Sequence, residues 1–146
     1  MNKQTIEDAL IDAIKQAMPY LRYVDTYQGE LDEKSISQFV ISFPAVLIYM
    51  ERADYTDRGY PKKWLDIQYT ILVCDKNLRG NKAARQGDSS NPGAYKMLDD
   101  VFEAIFCKTL GLNDIQEFDI ESEEALINSS RVSVYAATYK TKAVKN

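Results

Sequence analysis

Trp64-Leu65-Asp66-Ile67-Gln68-Tyr69-Thr70-Ile71-Leu72-Val73 opens the stretch whose reading decides the fold, and Ala94 to Phe106 closes it. In the first part Leu65, Ile67, Tyr69, Ile71 and Val73 alternate with Asp66, Gln68 and Thr70. That period of two predicts a half-buried strand. In the second part Ala94, Leu98, Val101, Phe102 and Ile105 fall on one helical stripe. Asn91 is suited to cap this helix and Pro92 to its first turn, where no backbone N–H is needed. The helix is expected to end near Thr109, with Gly111 as a left-handed cap.

Between strand and helix lie roughly eighteen residues, Asp75 to Pro92, with little apolar content beyond Leu78 and two alanines. Structureless stretches longer than about 12–15 residues are uncommon inside compact domains and are usually functional or disordered. Lys76, Arg79, Lys82 and Arg85 against Asp75 and Asp88 give this loop a charge of +2, in a chain whose net charge is -4. A basic, flexible arm on an acidic body suits grasping another protein better than it suits chemistry.

Working outward, Ile6, Leu10, Ala13, Ile14, Ala17, Met18 and Leu21 recur at helical spacing and predict a helix from about Thr5 to Ala17, with Thr5 and Asp8 resembling a capping box. Pro19 ends it. Tyr20 to Tyr27 reads as a strand closed by Gly29, and Asp32 to Val40 as a short helix. Pro44 to Met50 is apolar on both alternating sets, the pattern of a strand covered on both faces. Arg52 to Pro61 reads as a polar turn returning the chain into the Trp64 strand as a hairpin. Asp114 to Glu121 and Arg131 to Thr141 are two further expected strands, with Glu124 to Ile127 a short strand or turn between them.

These elements predict one domain spanning residues 1–146: an α+β two-layer sandwich with a mixed or antiparallel sheet of about five strands and two main helices on one face. One helical layer protects one face only, yet several strands are apolar on both alternations. Exposed apolar surface of that kind marks a partner site, and ten tyrosines fit an interface.

Chemistry finds little support. The chain has no histidine, which removes the commonest general base, triad partner and metal ligand. Cys74 and Cys107 are far apart and read as reduced, buried thiols of a protein that stays in the cytoplasm where it is made. No apolar run approaches a membrane span, and a pI near 4.9 argues against holding nucleic acid. Asp99, Asp100 and Glu103 read as a solvated helix face rather than paired catalytic carboxylates. Gly80, Gly87 and Gly93 lack the spacing and the Gly-Lys-Ser/Thr ending of a phosphate cradle. Asp114, Glu117, Asp119, Glu121, Glu123 and Glu124 lack the ligand spacing and central glycine of an EF-hand and read as an acidic edge for a basic partner. Trp64 and Tyr95 read as core or interface anchors. No catalytic residue, cofactor or metal is expected.

Asn77-Leu78-Arg79-Gly80, then Ala83-Ala84-Arg85 with Gly87, then Gly93-Ala94-Tyr95 and Leu98-Asp99-Asp100 opening a helix, together resemble the small tail proteins of Mu-like phages and prophages. The N-terminal helix, Val24 to Gly29, Phe43-Pro44-Ala45-Val46 and Val132-Ser133-Val134-Tyr135 agree in order and spacing, so the resemblance covers nearly the whole chain. It implies a tail terminator, a non-enzymatic ring protein that caps the head-proximal end of the tail tube. It also implies a ring of identical subunits, hexameric in that family, partnered by tail-tube and head-completion proteins, made in the host cytoplasm and carried in the virion tail. A head-completion or connector adaptor is the rival reading, and a small intracellular enzyme a more distant one.

The expected contact is head-to-tail between copies. Asn77, Leu78, Arg79, Gly80, Arg85 and Tyr95 supply the basic side, and Glu117, Asp119 and Glu121 the acidic one.

Overall fold

In chain order the elements are α1 (Lys3–Ala17), β1 (Tyr23–Thr26), β2 (Ala45–Asp57), β3 (Lys63–Lys76), α2 (Asn81–Gln86), α3 (Ala94–Ile105), β4 (Asp119–Asn128) and β5 (Val132–Lys145). They come from a computed structural model that describes residues 2–28, 42–77, 79–89, 91–129 and 131–145. The short helix expected over Asp32 to Val40, Gly29 and Leu78 lie outside the described residues.

The five strands form one mixed sheet in the order β1-β2-β3-β5-β4, with β1 parallel to β2 and every other pair antiparallel. The alternation in β3 decides which side is the core. Leu65, Ile67, Tyr69, Ile71 and Val73 all point to one face and are fully buried there. They meet Ile6, Leu10 and Ile14 of α1 and Met97, Val101 and Ile105 of α3, together with Val46 and Ile48 of β2 and Tyr139 of β5. Both main helices therefore pack on the same face of an α+β sheet, as their single stripes require. Truncating one of these side chains to alanine typically costs about 2–5 kcal/mol.

On the opposite face a second apolar cluster joins Ala45, Leu47, Leu72, Cys74, Val134 and Ala136, with Tyr23, Tyr27, Phe43 and Tyr49 packed against it. The same face turns polar further along the strands, where Arg52 stands beside Gln68 and Lys140, and Asp54 beside Asp66 and Lys142.

Several boundaries differ from the sequence reading. Helix α1 begins at Lys3 because Asn2, rather than Thr5, is its cap, its side chain accepting from the Gln4 N–H at 2.7 Å. The polar segment Arg52 to Asp57 is not turn but the second half of β2, paired residue for residue with Lys63 to Gln68 after a bulge between Met50 and Arg52. Tertiary pairing overrides its weak strand propensity. Only Arg58 to Lys62 form the turn. The strand expected over Asp114 to Glu121 is β4, which begins at Asp119; before it Ile115 makes one isolated bridge to Ala143. Along β4 the register with β5 shifts twice, between Ile120 and Ser122 and between Ala125 and Ile127. Cys74 is buried, but Cys107 is exposed, in a turn where its φ is 59°. Helix α3 stops at Ile105 rather than Thr109 because the chain turns there: the Cys107 N–H donates to the Phe118 carbonyl at 2.9 Å, and Leu110 and Gly111 also take positive φ.

Candidate functional site

The loop after β3 is held by carboxylates and amides rather than by apolar contact. Asp75 continues the inward phase of β3, so its carboxylate arrives buried under the start of α3, where it accepts the Gly93 N–H at 2.8 Å and the Asn91 side-chain amide at 3.0 Å. Burial pushes its pKa up; the donated hydrogen bonds oppose that rise. The expected cap, Asn91, is thus spent on Asp75 and the Lys76 carbonyl, and Gly93 takes the cap position. Asp88 ties the other side. It accepts from the Asn77 amide at 2.8 Å and the Asn91 N–H at 3.0 Å, and lies 3.6 Å from the Arg79 guanidinium.

Gly87 and Gly93 complete this latch. Each has φ of 82°, and a Cβ on Gly93 would lie 2.3 Å from the Gly87 nitrogen, while one on Gly87 would lie 2.2 Å from the Pro92 carbonyl oxygen. Only glycine allows two backbones so close in that conformation. A stretch expected to be structureless therefore carries α2 and is tied back at both ends.

The latch draws most of the expected basic residues into one cluster. Asn77 is buried, its N–H donating to the Arg131 carbonyl at 2.9 Å, and the Gly80 N–H donates to the Asn77 carbonyl at 3.1 Å. Arg85 and Tyr135 hydrogen-bond Tyr95, lowering the Tyr95 pKa, with Tyr135 the larger cause. The Tyr95 and Tyr135 rings meet edge-on at 5.7 Å. Arg79, 71% exposed, and the ring of Tyr95 remain open to solvent. Asn77, Gly80 and Arg85 also make bonds within the chain that shape the loop.

The acidic residues lie elsewhere on the same side. Asn81 of α2 donates to the Ser129 carbonyl at 2.6 Å, which fixes the latch at the Asn128 end of β4. Asp119 begins that strand, and at about 3.3 Å per residue the strand spans about 30 Å. Glu117, Asp119 and Glu121 are all exposed there, Glu121 facing Lys140 at 3.4 Å. Midway, burial and then the nearby Asp99 raise the pKa of Glu123. The expected basic and acidic groups therefore lie toward the two ends of one edge.

Two features were not read from the sequence. One is the reach of the expected β2–β3 hairpin, whose turn carries Tyr60 at 91% exposure and whose Arg58 guanidinium lies 4.8 Å above the Trp64 ring. The spacing of Asp57, Gly59 and Pro61 signalled the turn but not its reach. The other is a pocket of about 340 Å³ bordered by Asp54, Asp66, Gln68, Glu117, Asp119, Lys140 and Lys142. Its lysines are balanced by carboxylates, Lys142 standing 3.5 Å from Asp66. Among the described residues no group of three His, Cys, Asp or Glu is placed to hold a metal ion, and no helix is long and apolar enough to cross a membrane.

No curated protein matches the chain. Among solved structures, a chain described as "Virion of native gene transfer agent (GTA) particle" shares its fold with a TM-score of 0.57 at 10% identity, over 96% of this chain and 98% of that one. At that identity the likeness is one of fold. Residues 3–144 match the family described as "Bacteriophage Mu, Gp37". Because that match runs from the first residue of α1 to the last but one of β5, the chain belongs to the Bacteriophage Mu Gp37 family and is a protein of Mu-like phages.

Proposed function

We propose that this protein is a tail terminator, whose copies close into a ring that caps the head-proximal end of the tail tube and joins it to the head. The observation that carries the reading is β4. Eight of its ten residues are exposed, its outer edge is unpaired among the described residues, and it holds four carboxylates and no base. An open strand of this length is a surface that assemblies use. Family membership supports the phage setting, and the full-length fold likeness to a chain of an assembled virion supports a structural, non-enzymatic role. Tail-tube and head-completion proteins are then its other partners, a ring of six its form by family resemblance, and the virion tail its destination after assembly in the host cytoplasm.

The charge order along the edge favours a ring over a two-fold dimer. Antiparallel pairing of two β4 strands would bring Arg79 and Tyr95 of one copy to Glu117, Asp119 and Glu121 of the other, but it would also set Glu123 and Glu124 against themselves. Like charges directly opposed across strands are destabilising. A heterologous contact avoids this, and closes when its rotation divides a full turn.

Deleting the gene from the phage tests the role. Tails of uncontrolled length are expected; tails of normal length that lack heads would instead support a head-completion or connector protein. Light scattering and negative-stain imaging of the purified protein would show the ring directly.

A further inference from the structure

We infer that the acidic edge of β4 receives the turn of the β2–β3 hairpin from the next copy of this chain. The inference rests on the ring proposed above and supplies the surface that the ring lacks, since the basic latch and the acidic run share one side.

The two surfaces are matched in chemistry. The turn with the first residue of β3, Arg58 to Lys63, carries three basic residues and no acidic one around Tyr60, the most exposed large hydrophobic side chain among the described residues. Of its bases, Lys63 is paired with Asp57. Arg58 is stacked on Trp64. Lys62 is exposed. The edge carries Asp119, Glu121, Glu123 and Glu124 in a run that leads up to Leu126, which is 54% exposed and follows Ala125, the cross-strand partner of Tyr135. Tyr135 in turn holds the exposed Tyr95. An aromatic flanked by bases thus matches an apolar residue at the end of an acidic run, the arrangement of an apolar anchor beside complementary charge. The crowding of Glu123 and Asp99 is relieved by an arriving cation.

The hairpin cannot reach the β4 of its own chain. Three strand spacings, about 14 Å, separate β2 from β4 across the sheet. The turn also projects beyond the row of Gln68, Lys140 and Asp119 where β4 begins, by the five residues from Gln68 back to Lys63, or about 16 Å. Two such distinct surfaces meeting between copies give a head-to-tail contact.

A charge swap in phage deleted for the gene and complemented with variant chains tests the contact. Arg58→Glu with Lys62→Glu, or Glu123→Lys with Glu124→Lys, should each lower infectious titre about 100-fold or more, since like charges then meet at the interface. All four substitutions in one chain should restore titre to within about tenfold of wild type, because the polarity of the contact is reversed on both sides. Each variant is checked by melting temperature, so that a misfolded chain is not counted. Separately, Tyr60→Cys with Leu126→Cys in a Cys107→Ser chain should give a ladder of cross-linked copies when purified particles are treated with a short bismaleimide. No rescue by the fourfold variant overturns the contact, as does wild-type titre from either pair alone. A Tyr60→Cys cross-link to a different virion protein also overturns it. The terminator role is judged independently by tail length in the deletion, so either conclusion can fail without the other.

Discussion

Gly93→Ala should destabilise this protein far more than the loss of one glycine in a loop suggests. Gly93 has φ of 82° and ψ of 153°, a region essentially closed to other residues, and occupying it costs an alanine about 1–3 kcal/mol. The new methyl would also lie 2.3 Å from the Gly87 nitrogen and 2.6 Å from the Gln86 carbonyl carbon, against a comfortable separation of about 3.5 Å. Backbone on both sides of the latch must then part by about 1 Å. That movement breaks the 2.8 Å bond from the Gly93 N–H to the buried Asp75 carboxylate, worth about 1.5–3 kcal/mol. Together the losses come to about 2.5–6 kcal/mol. Gly111→Ala is the control: φ there is 78° but nothing lies within 4 Å of the added methyl, so only the backbone cost of about 1–2 kcal/mol applies. For a chain of this size the excess should lower the melting temperature of Gly93→Ala by about 5–15 °C relative to Gly111→Ala. Thermal unfolding followed by circular dichroism reads this directly. If the two variants melt within about 3 °C of each other, the latch is not packed as described.

The pH dependence has a definite sign. Glu7, Asp75 and Glu123 all have pKa values raised first by burial, so the folded chain binds more protons than the unfolded one between about pH 4 and their raised values, and stability increases as pH falls through that window. The melting temperature, followed from pH 8 downward, should peak in mild acid with no histidine to confuse it, and Glu123→Gln should make the slope shallower; a peak above neutrality contradicts the assignment. Tyr69 and Tyr139 are cross-strand partners with opposite prospects: Tyr69→Phe loses a 2.8 Å bond to the Lys3 carbonyl and should cost about 1 kcal/mol, whereas Tyr139→Phe removes a buried hydroxyl that has no partner among the described residues and should be neutral or stabilising by about 1 kcal/mol. Denaturant unfolding of both variants checks the order. Arg79→Glu should change stability by about 1 kcal/mol, because its guanidinium is largely exposed and only loosely paired, at 3.6 Å, with the mostly buried Asp88, while Arg85→Glu should cost more by breaking the bond to Tyr95 and placing a carboxylate where the guanidinium nitrogen is buried. Equal melting temperatures for the two would refute the separation of the surface arginine from the structural one.

The layered fold was legible because two strong periodicities carry it. The odd residues of β3 and the stripe of α3 each point one way, and burial on one common face follows from that alone. The outer half of β2 was not legible: Arg52 to Asp57 contain few β-formers and are held by pairing with β3, a non-local cause that local propensity cannot show. Nor was the latch. Asp75, Asp88, Asn77 and Asn91 look like ordinary loop polarity until the inward phase of β3 is extended one step past Cys74, which places a carboxylate beneath the start of α3. The candidate contact surface was read in part. The acidic run is exposed, while Arg85 and Asn77 also bond within their own chain, which a charge count does not register.

The two register shifts in β4 bear on what happens before there is anything to assemble with. A long unpaired strand is a template for indefinite stacking, a hazard for any protein that assembles only with its proper partner. Bulges bend and twist an edge away from straight pairing, and here they leave no run in continuous register longer than Ser122 to Ala125, a stretch too short to seed a fibril and bearing two carboxylates that repel a copy of itself. Side chains can still reach a matching surface across such an edge, while backbone ladders cannot propagate along it. The strand is thereby open to one specific neighbour and poorly suited to polymerising, which would keep newly synthesised protein available during the interval between its synthesis and its use.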